Sequence, residues 1–233
     1  MPMADFSSPY YPYEKVNKGY NSFDGAELIP YKLISYLMDM EDANGYVPVD
    51  DNTRPRVKLM KYLYHDGANP LMQPLPTGAE KRSILFDANE PVLNTDELKA
   101  KHPKGYRLFA QQYWQQAELT AKTILKCYVG RVIPYSPFQA SIGLIFELCT
   151  YYGMDTATKT TAYSKLYAME CALLAALHGV NIAGVGVVNF DRRMHIDAGS
   201  QPYRDDGSHL YRVVKLSIDW MESQSEKVVS PCR

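Results

Sequence analysis

With 233 residues, 46% of them hydrophobic and 22% charged, the chain can bury a sizeable core and has the composition of an ordinary globular protein. A formal net charge of -1 excludes a whole-protein pull toward DNA or anionic lipid, so nucleic-acid binding is not the default expectation. Cys127, Cys149, Cys171 and Cys232 lie far apart with no C-x-x-C pair, which indicates neither a zinc site nor a disulfide framework and points to reduced thiols.

Residues 1–25 combine Tyr10, Tyr11, Tyr13 and Tyr20 with Pro2, Pro9 and Pro12. Proline discourages regular structure, whereas disordered segments are usually poor in aromatics, so the expectation is an extended arm. It lies across either a neighbouring molecule or its own domain. The start of the arm has no cationic stretch followed by an apolar run, and no window reaches the ~18 apolar residues of a membrane helix. A cytosolic, unexported product is expected. The 19 tyrosines and 15 prolines are the most telling counts, because tyrosine offers a large amphipathic surface and is enriched where proteins meet.

Helical spacing of Leu28, Tyr31, Leu33, Ile34, Leu37 and Met38 predicts a first helix over Ala26 to Met40, with Asp24 available as a cap and Pro30 tolerated near the first turn. EDANGYVPVDDNTRP reads as a loop. RVKLMKYLYHD fits neither period cleanly, and the reading favours a strand. GANPLMQPLPTGAE is punctuated as a long connection, KRSILFD reads as a short strand, and 87–105 is loop-like with one helical turn at DELKAK. Long loops inside a compact domain are commonly functional, and without catalytic residues in them interaction is the favoured role. GYRLFAQQYWQQAEL reads as strand or helix.

The centre of the chain lies between Thr120 and Met221. TAKTILKCYVGRVIP and QASIGLIFELCTYY flank a turn near Tyr135 to Phe138 and read as an antiparallel pair. A helix follows, capped by Thr156 or Asp155, with Tyr163, Leu166, Tyr167, Leu173, Leu174 and Leu177 at helical steps until Gly179. Glu170 interrupts its apolar stripe; a buried carboxylate needs a partner, and an Arg is expected ahead of a catalytic role. NIAGVGVVNFD reads as a strand whose Gly184 and Gly186 let this helix approach closely. Its G-x-G has no third glycine opening a helix, which excludes a dinucleotide fingerprint. Leu210, Arg212, Val214, Leu216, Ile218 and Trp220 alternate with polar residues in the last strand. The fold class expected is α+β: a central helix packed on an antiparallel sheet of two strand pairs, with an N-terminal helix and long loops. The organisation is an arm over 1–25, a single domain over 26–222 and a mobile tail over 223–233.

Asp191, His195, Asp197, Asp205, Asp206 and His209 form the best chemical constellation, and a metal-dependent hydrolase using Asp191, His195 and His209 is one alternative. Their spacing matches no metalloenzyme signature, and Asp205-Asp206-Gly207 is turn chemistry. Ser208 beside His209 is adjacency without a nucleophile elbow, and Cys171 and His178 lie about two turns apart on one helix. Arg54, Arg56, Lys58 and Lys61, with Tyr62 and Tyr64, read as a solvated face ahead of a nucleic-acid patch. No catalytic, cofactor or metal residue is assigned, so no enzyme is expected; a cytosolic protein-binding module is a further alternative. The connection from His195 to His209 is long and charged, and in a ring it can meet the next subunit. Candidate subunit-interface residues are therefore Tyr10, Tyr11, Tyr13, Tyr203, Arg204, Asp205 and Asp206.

The layout from Ala26 to Glu222, closing on RDDGSHLYRVVKLSIDWM, resembles connector and tail-completion proteins of tailed bacteriophages. It is most similar to the ring proteins of the neck and tail barrel of crAss-like phages. The resemblance implies a structural virion protein made in the host cytoplasm, forming a dodecameric ring that links the portal to the tail. Its partners would be copies of itself, the portal and other neck and tail rings, with packaged DNA passing through the lumen without sequence-specific binding and no membrane contact. No individual residue is carried over from the family.

Overall fold

The computed structural model describes residues 26–39, 50–67, 69–87, 95–112, 123–136, 139–151, 153, 164–190, 199–204 and 209–221. The helices are α1 (Ile29–Met38), α2 (Pro55–Tyr64), α3 (Gly78–Ser83), α4 (Thr95–Lys101) and α5 (Lys165–Leu177). The strands are β1 (Leu108–Phe109), β2 (Ile124–Ser136), β3 (Gln139–Tyr151), β4 (Asn181–Ile182), β5 (Gly186–Asn189), β6 (Gly199–Arg204) and β7 (His209–Met221). The class is α+β. No helix among the described residues is long and apolar enough to cross a membrane.

The strands form one sheet in the order β1-β2-β3-β7-β5-β4, with β6 also on β7. Because β1 runs parallel to β2, the sheet is mixed and not purely antiparallel. β2 and β3 pair with Ser136 opposite Gln139, which places their turn where the proline-containing turn is expected. β3 and β7 pair along all 13 residues without a register shift, from Gln139 opposite Met221 to Tyr151 opposite His209. The other edge of β7 is divided: β6 lies along Leu210 to Lys215 and β5 along Ser217 and Ile218.

Ile142, Leu144, Phe146 and Leu148 of β3, with Val214, Leu216, Ile218 and Trp220 of β7, belong to one buried cluster with α1, α2 and α5. α1 contributes Ile29, Leu33, Ile34 and Leu37 and begins at Leu28, which supplies no side-chain cap; Asp24 lies outside the described residues.

Several local expectations are corrected. RVKLMKYLYHD is the helix α2, not a strand. Val57, Leu59, Met60, Tyr62 and Leu63 are all buried, and α2 packs on both α5 and α1. A helix covered on several sides shows no single apolar stripe, so period counting missed it. Lys61 is buried there too, donating to Leu71 O at 3.1 Å and pairing with Asp50.

KRSILFD is not a strand either. α3 takes its first residues, and beyond the helix only a bridge from Leu85 to Leu108 remains. A reciprocal capping box opens α3: the Thr77 N–H donates to Glu80 Oε2 at 2.8 Å, and Thr77 Oγ1 accepts from the Glu80 N–H at 3.3 Å.

α5 begins at Ser164, whose Oγ accepts from the Tyr167 N–H at 3.1 Å; Asp155, Thr156 and Tyr163 lie outside the described residues. Its end is as expected, with Gly179 at φ +74° just past the last turn. NIAGVGVVNFD is a tight β4–β5 hairpin and not one strand. Gly184 (φ +69°) stands in its turn, and a Cβ there would fall 2.7 Å from Lys32 Nζ. The close approach permitted by that glycine is that of α1, not of α5.

A second, smaller cluster covers one end of the sheet's other face: Tyr106, Phe109, Ile124, Cys149 and Tyr211, with Phe86 and Leu98 against it. Phe86 lies edge-on to Tyr106 at 5.2 Å and stacked on Phe109 at 5.4 Å. Phe86 and Leu98, from the stretch expected to serve as interaction loops, thus pack against the protein's own core.

Arg107 ties these parts together. Buried beside β1, its Nη1 donates to Leu63 O at 2.8 Å and to Asp66 Oδ1 at 2.6 Å, Nη2 pairs with Asp66 Oδ2, and Nε donates to Lys104 O at 3.1 Å. One guanidinium thus fixes the end of α2 to the strand beside β2. Arg107→Met should lower unfolding stability by about 2 kcal/mol, because it strands Leu63 O and leaves Asp66 partly buried without its charge partner. Arg107→Lys should recover little, since a point charge cannot reproduce the fork. Urea denaturation checks both; a Lys variant as stable as the parent would contradict this role.

Candidate functional site

The interface between α5 and the sheet carries a partly buried ion pair. Glu170, buried on α5, pairs with Arg212 on β7. The Arg212 guanidinium lies 5.3 Å over the Tyr167 ring, and its Nη2 donates to Ser200 Oγ on β6 at 3.2 Å. The expected Arg partner of Glu170 is therefore present, and helix, central strand and edge strand meet at one guanidinium. At the start of α5, the buried Lys165 Nζ donates to Thr123 Oγ1 at 2.8 Å and to His65 O at 3.2 Å. At its end, His178 Nδ1 accepts the Phe190 N–H at 3.0 Å. That places His178 in a backbone-holding role, while Cys171 is exposed.

Of the metal constellation, only His209 falls among the described residues; Asp191, His195, Asp197, Asp205 and Asp206 lie outside them. His209 is buried at the start of β7, its ring 5.8 Å from Tyr151 and 6.4 Å from Tyr211. Among the described residues no group of three or more His, Cys, Asp or Glu is placed to hold a metal ion. Of the candidate interface residues, Tyr10, Tyr11, Tyr13, Asp205 and Asp206 also lie outside the described set. Tyr203 and Arg204 end β6, opposite Tyr211 and Leu210.

The basic cluster does not form one solvated face. Lys61 is buried, and Arg56 folds back over the end of α1, its guanidinium 4.5 Å from the Tyr36 ring centre. Arg56 Nη1 donates to Tyr36 O at 2.9 Å and Asp39 O at 2.7 Å, satisfying carbonyls that the helix terminus leaves open. A cleft of about 250 Å³ opens beside it, lined by Tyr36, Arg54, Arg56, Val57, Ala176 and Val180. Sequence reading missed this cleft because its walls come from three distant helices.

On the sheet's other face, Tyr128 OH donates to Glu147 Oε1 at 2.5 Å. Burial, then the Glu147 hydrogen bond and charge, push the Tyr128 phenol well above its ordinary range. Burial also pushes the Cys127 thiol well up. β2 has no strand on its outer edge beyond Lys126 among the described residues. A bulge between Val129 and Val132, and Pro134 beyond it, make that edge a poor template for strand addition.

The large apolar or aromatic side chains exposed among the described residues are Leu28, Met72, Val187 and four tyrosines: Tyr31 on α1, Tyr167 on α5, Tyr135 near the turn end of β2 and Tyr151 at the far end of β3. A strand of this length spans ~40 Å at ~3.3 Å per residue, so Tyr135 and Tyr151 mark opposite ends of the sheet.

Comparison with known proteins gives no family assignment, since no family model, curated protein or solved structure matches the chain.

Differential alkylation should modify Cys171 in the native protein and leave Cys127 untouched until unfolding; equal native rates for the two would contradict the burial described. The raised Tyr128 phenol also has a pH consequence. A folded-state value above the unfolded one means that its contribution is complete below pH ~10 and falls away as pH rises above that. Tyr128→Phe should therefore flatten the alkaline loss of stability measured by denaturation at stepped pH, and an unchanged alkaline slope would argue against the assignment.

Proposed function

We propose that the chain is a structural virion protein that associates head to tail into a closed, dodecameric ring in the neck or tail of a tailed phage, linking portal to tail and extending the DNA channel. The observation that carries this reading is the placement of exposed Tyr135 and Tyr151 at opposite ends of the β2–β3 hairpin. Tyrosine is the residue type that meets protein surfaces with least loss of freedom, and two different patches at opposite ends favour a heterologous contact over a two-fold one. Repeated with a rotation, such a contact closes into a ring.

In this reading α5 packed on the strand pairs β2–β3 and β6–β7 is the rigid body of each subunit, while the N-terminal arm and the connection around Asp205 and Asp206 reach its neighbours. The portal and adjacent rings of the neck and tail are its other partners.

Light scattering across a wide concentration range, followed by imaging of the largest species, tests the reading. Mass should rise toward a closed oligomer, and Tyr135→Ser and Tyr151→Ser should each lower it while leaving the melting temperature unchanged. A concentration-independent monomer for the parent would contradict the proposal.

A further inference from the structure

We infer that the cleft between α1, α2 and α5 binds an acidic side chain of a partner polypeptide. The inference is independent of ring formation. Its first support is shape: small side chains at Ala175 and Ala176 on α5, facing Val57 and Val180, leave about 250 Å³. That is room for a side chain, below the ~300–1,000 Å³ typical of small-molecule pockets. The apolar walls suit the methylene stem of such a side chain.

Its second support is the pair of cations at the rim. Arg56 is held by two carbonyls on Nη1 and by stacking on Tyr36, while Nε and Nη2 make no hydrogen bond among the described residues. That leaves open the side-on edge of a guanidinium, whose two parallel N–H groups match a carboxylate. The fork is already ordered, so little freedom is lost on binding. Arg54 stands next to it with its side chain 57% exposed and only a 3.9 Å contact to Asp51. Asp51 is occupied elsewhere: its oxygens accept the Thr53 N–H and hydroxyl, both at 2.8 Å, and those bonds hold its carboxyl below the usual range.

The first turn of α2 adds to the same field. Pro55 has no N–H, Arg54 supplies no side-chain cap, and the Arg56 and Val57 N–H groups have no backbone acceptor among the described residues. Two arginines, with Asp51 close by and apolar walls, favour a singly charged carboxylate on a short apolar stem. A phosphate dianion would need more donors and a polar floor.

The test is an NMR titration of the full chain with N-acetylglutamate N-methylamide, following the Arg54 and Arg56 Nε–H signals and the Arg56, Val57 and Ala176 amides. Saturable shifts confined to these groups are expected, with N-acetylglutamine N-methylamide at least about tenfold weaker because it lacks the charge. Arg54→Gln, at an exposed position, should weaken binding about tenfold, and Ala175→Leu, also exposed, should abolish it by filling the cleft. Equal shifts with the glutamine probe, no saturation, tighter binding of inorganic phosphate, or an unaffected Arg54→Gln variant would each overturn the inference.

Discussion

The uninterrupted antiparallel ladder between β3 and β7 is the constraint on which the rest of the structure depends. A slip of one residue would turn Val214, Leu216 and Ile218 away from the helices and bring Val213, Lys215 and Ser217 inward. It would also carry Arg212 off the helix side and leave Glu170 buried without its countercharge. Register and ion pair therefore specify each other. β2 then adds to the far side of β3, while β5 and β6 divide the free edge of β7. The elements around this sheet are tied to one another by buried cations placed on carbonyls: Arg107 on Leu63, Lys165 on His65 and Lys81 on Met38. Each replaces what would otherwise be an open helix terminus or an unsatisfied chain end.

Where one face of an element is buried and the other is not, the sequence announces it. The alternation from Leu210 to Trp220 and from Ile142 to Leu148, and the helical steps of α1, are legible for that reason. α2 was hidden by the opposite circumstance, since burial on several sides erases the stripe that period counting needs. α3 carried a readable signature, Thr77 with Glu80 three residues on, but it stood among prolines and glycines that read as loop. The glycines of the β4–β5 hairpin imitated an alternating strand, and only their positive φ values distinguish a turn from an extended run. Parallel pairing of β1 with β2 accompanies the packing of Tyr106 and Phe109 over the sheet end, and no local pattern encodes either.

For the site, the sequence supplied residue types without partners. Glu170 called for an Arg, yet nothing nearby in the chain singled out Arg212 over the others. The cleft beside Arg56 was less legible still, because Tyr36, Arg54 and Ala176 converge only once three helices have packed. The sheet edge offers the converse lesson: a long β2 looks open to strand addition, while its bulge and Pro134 discourage it. In the proposed assembly, association then falls to side chains at the two ends of the sheet, which present different surfaces. That asymmetry separates a ring from a two-fold dimer.

Cysteine cross-linking between copies measures that asymmetry directly. In a background without Cys171 and Cys232, protein carrying Tyr135→Cys is mixed with protein carrying Tyr151→Cys and treated with a short bifunctional thiol reagent. Head-to-tail association predicts that the mixture links across the two variants and that neither variant links to itself. Links formed within each variant alone, with none across the mixture, would show a two-fold contact and contradict the account.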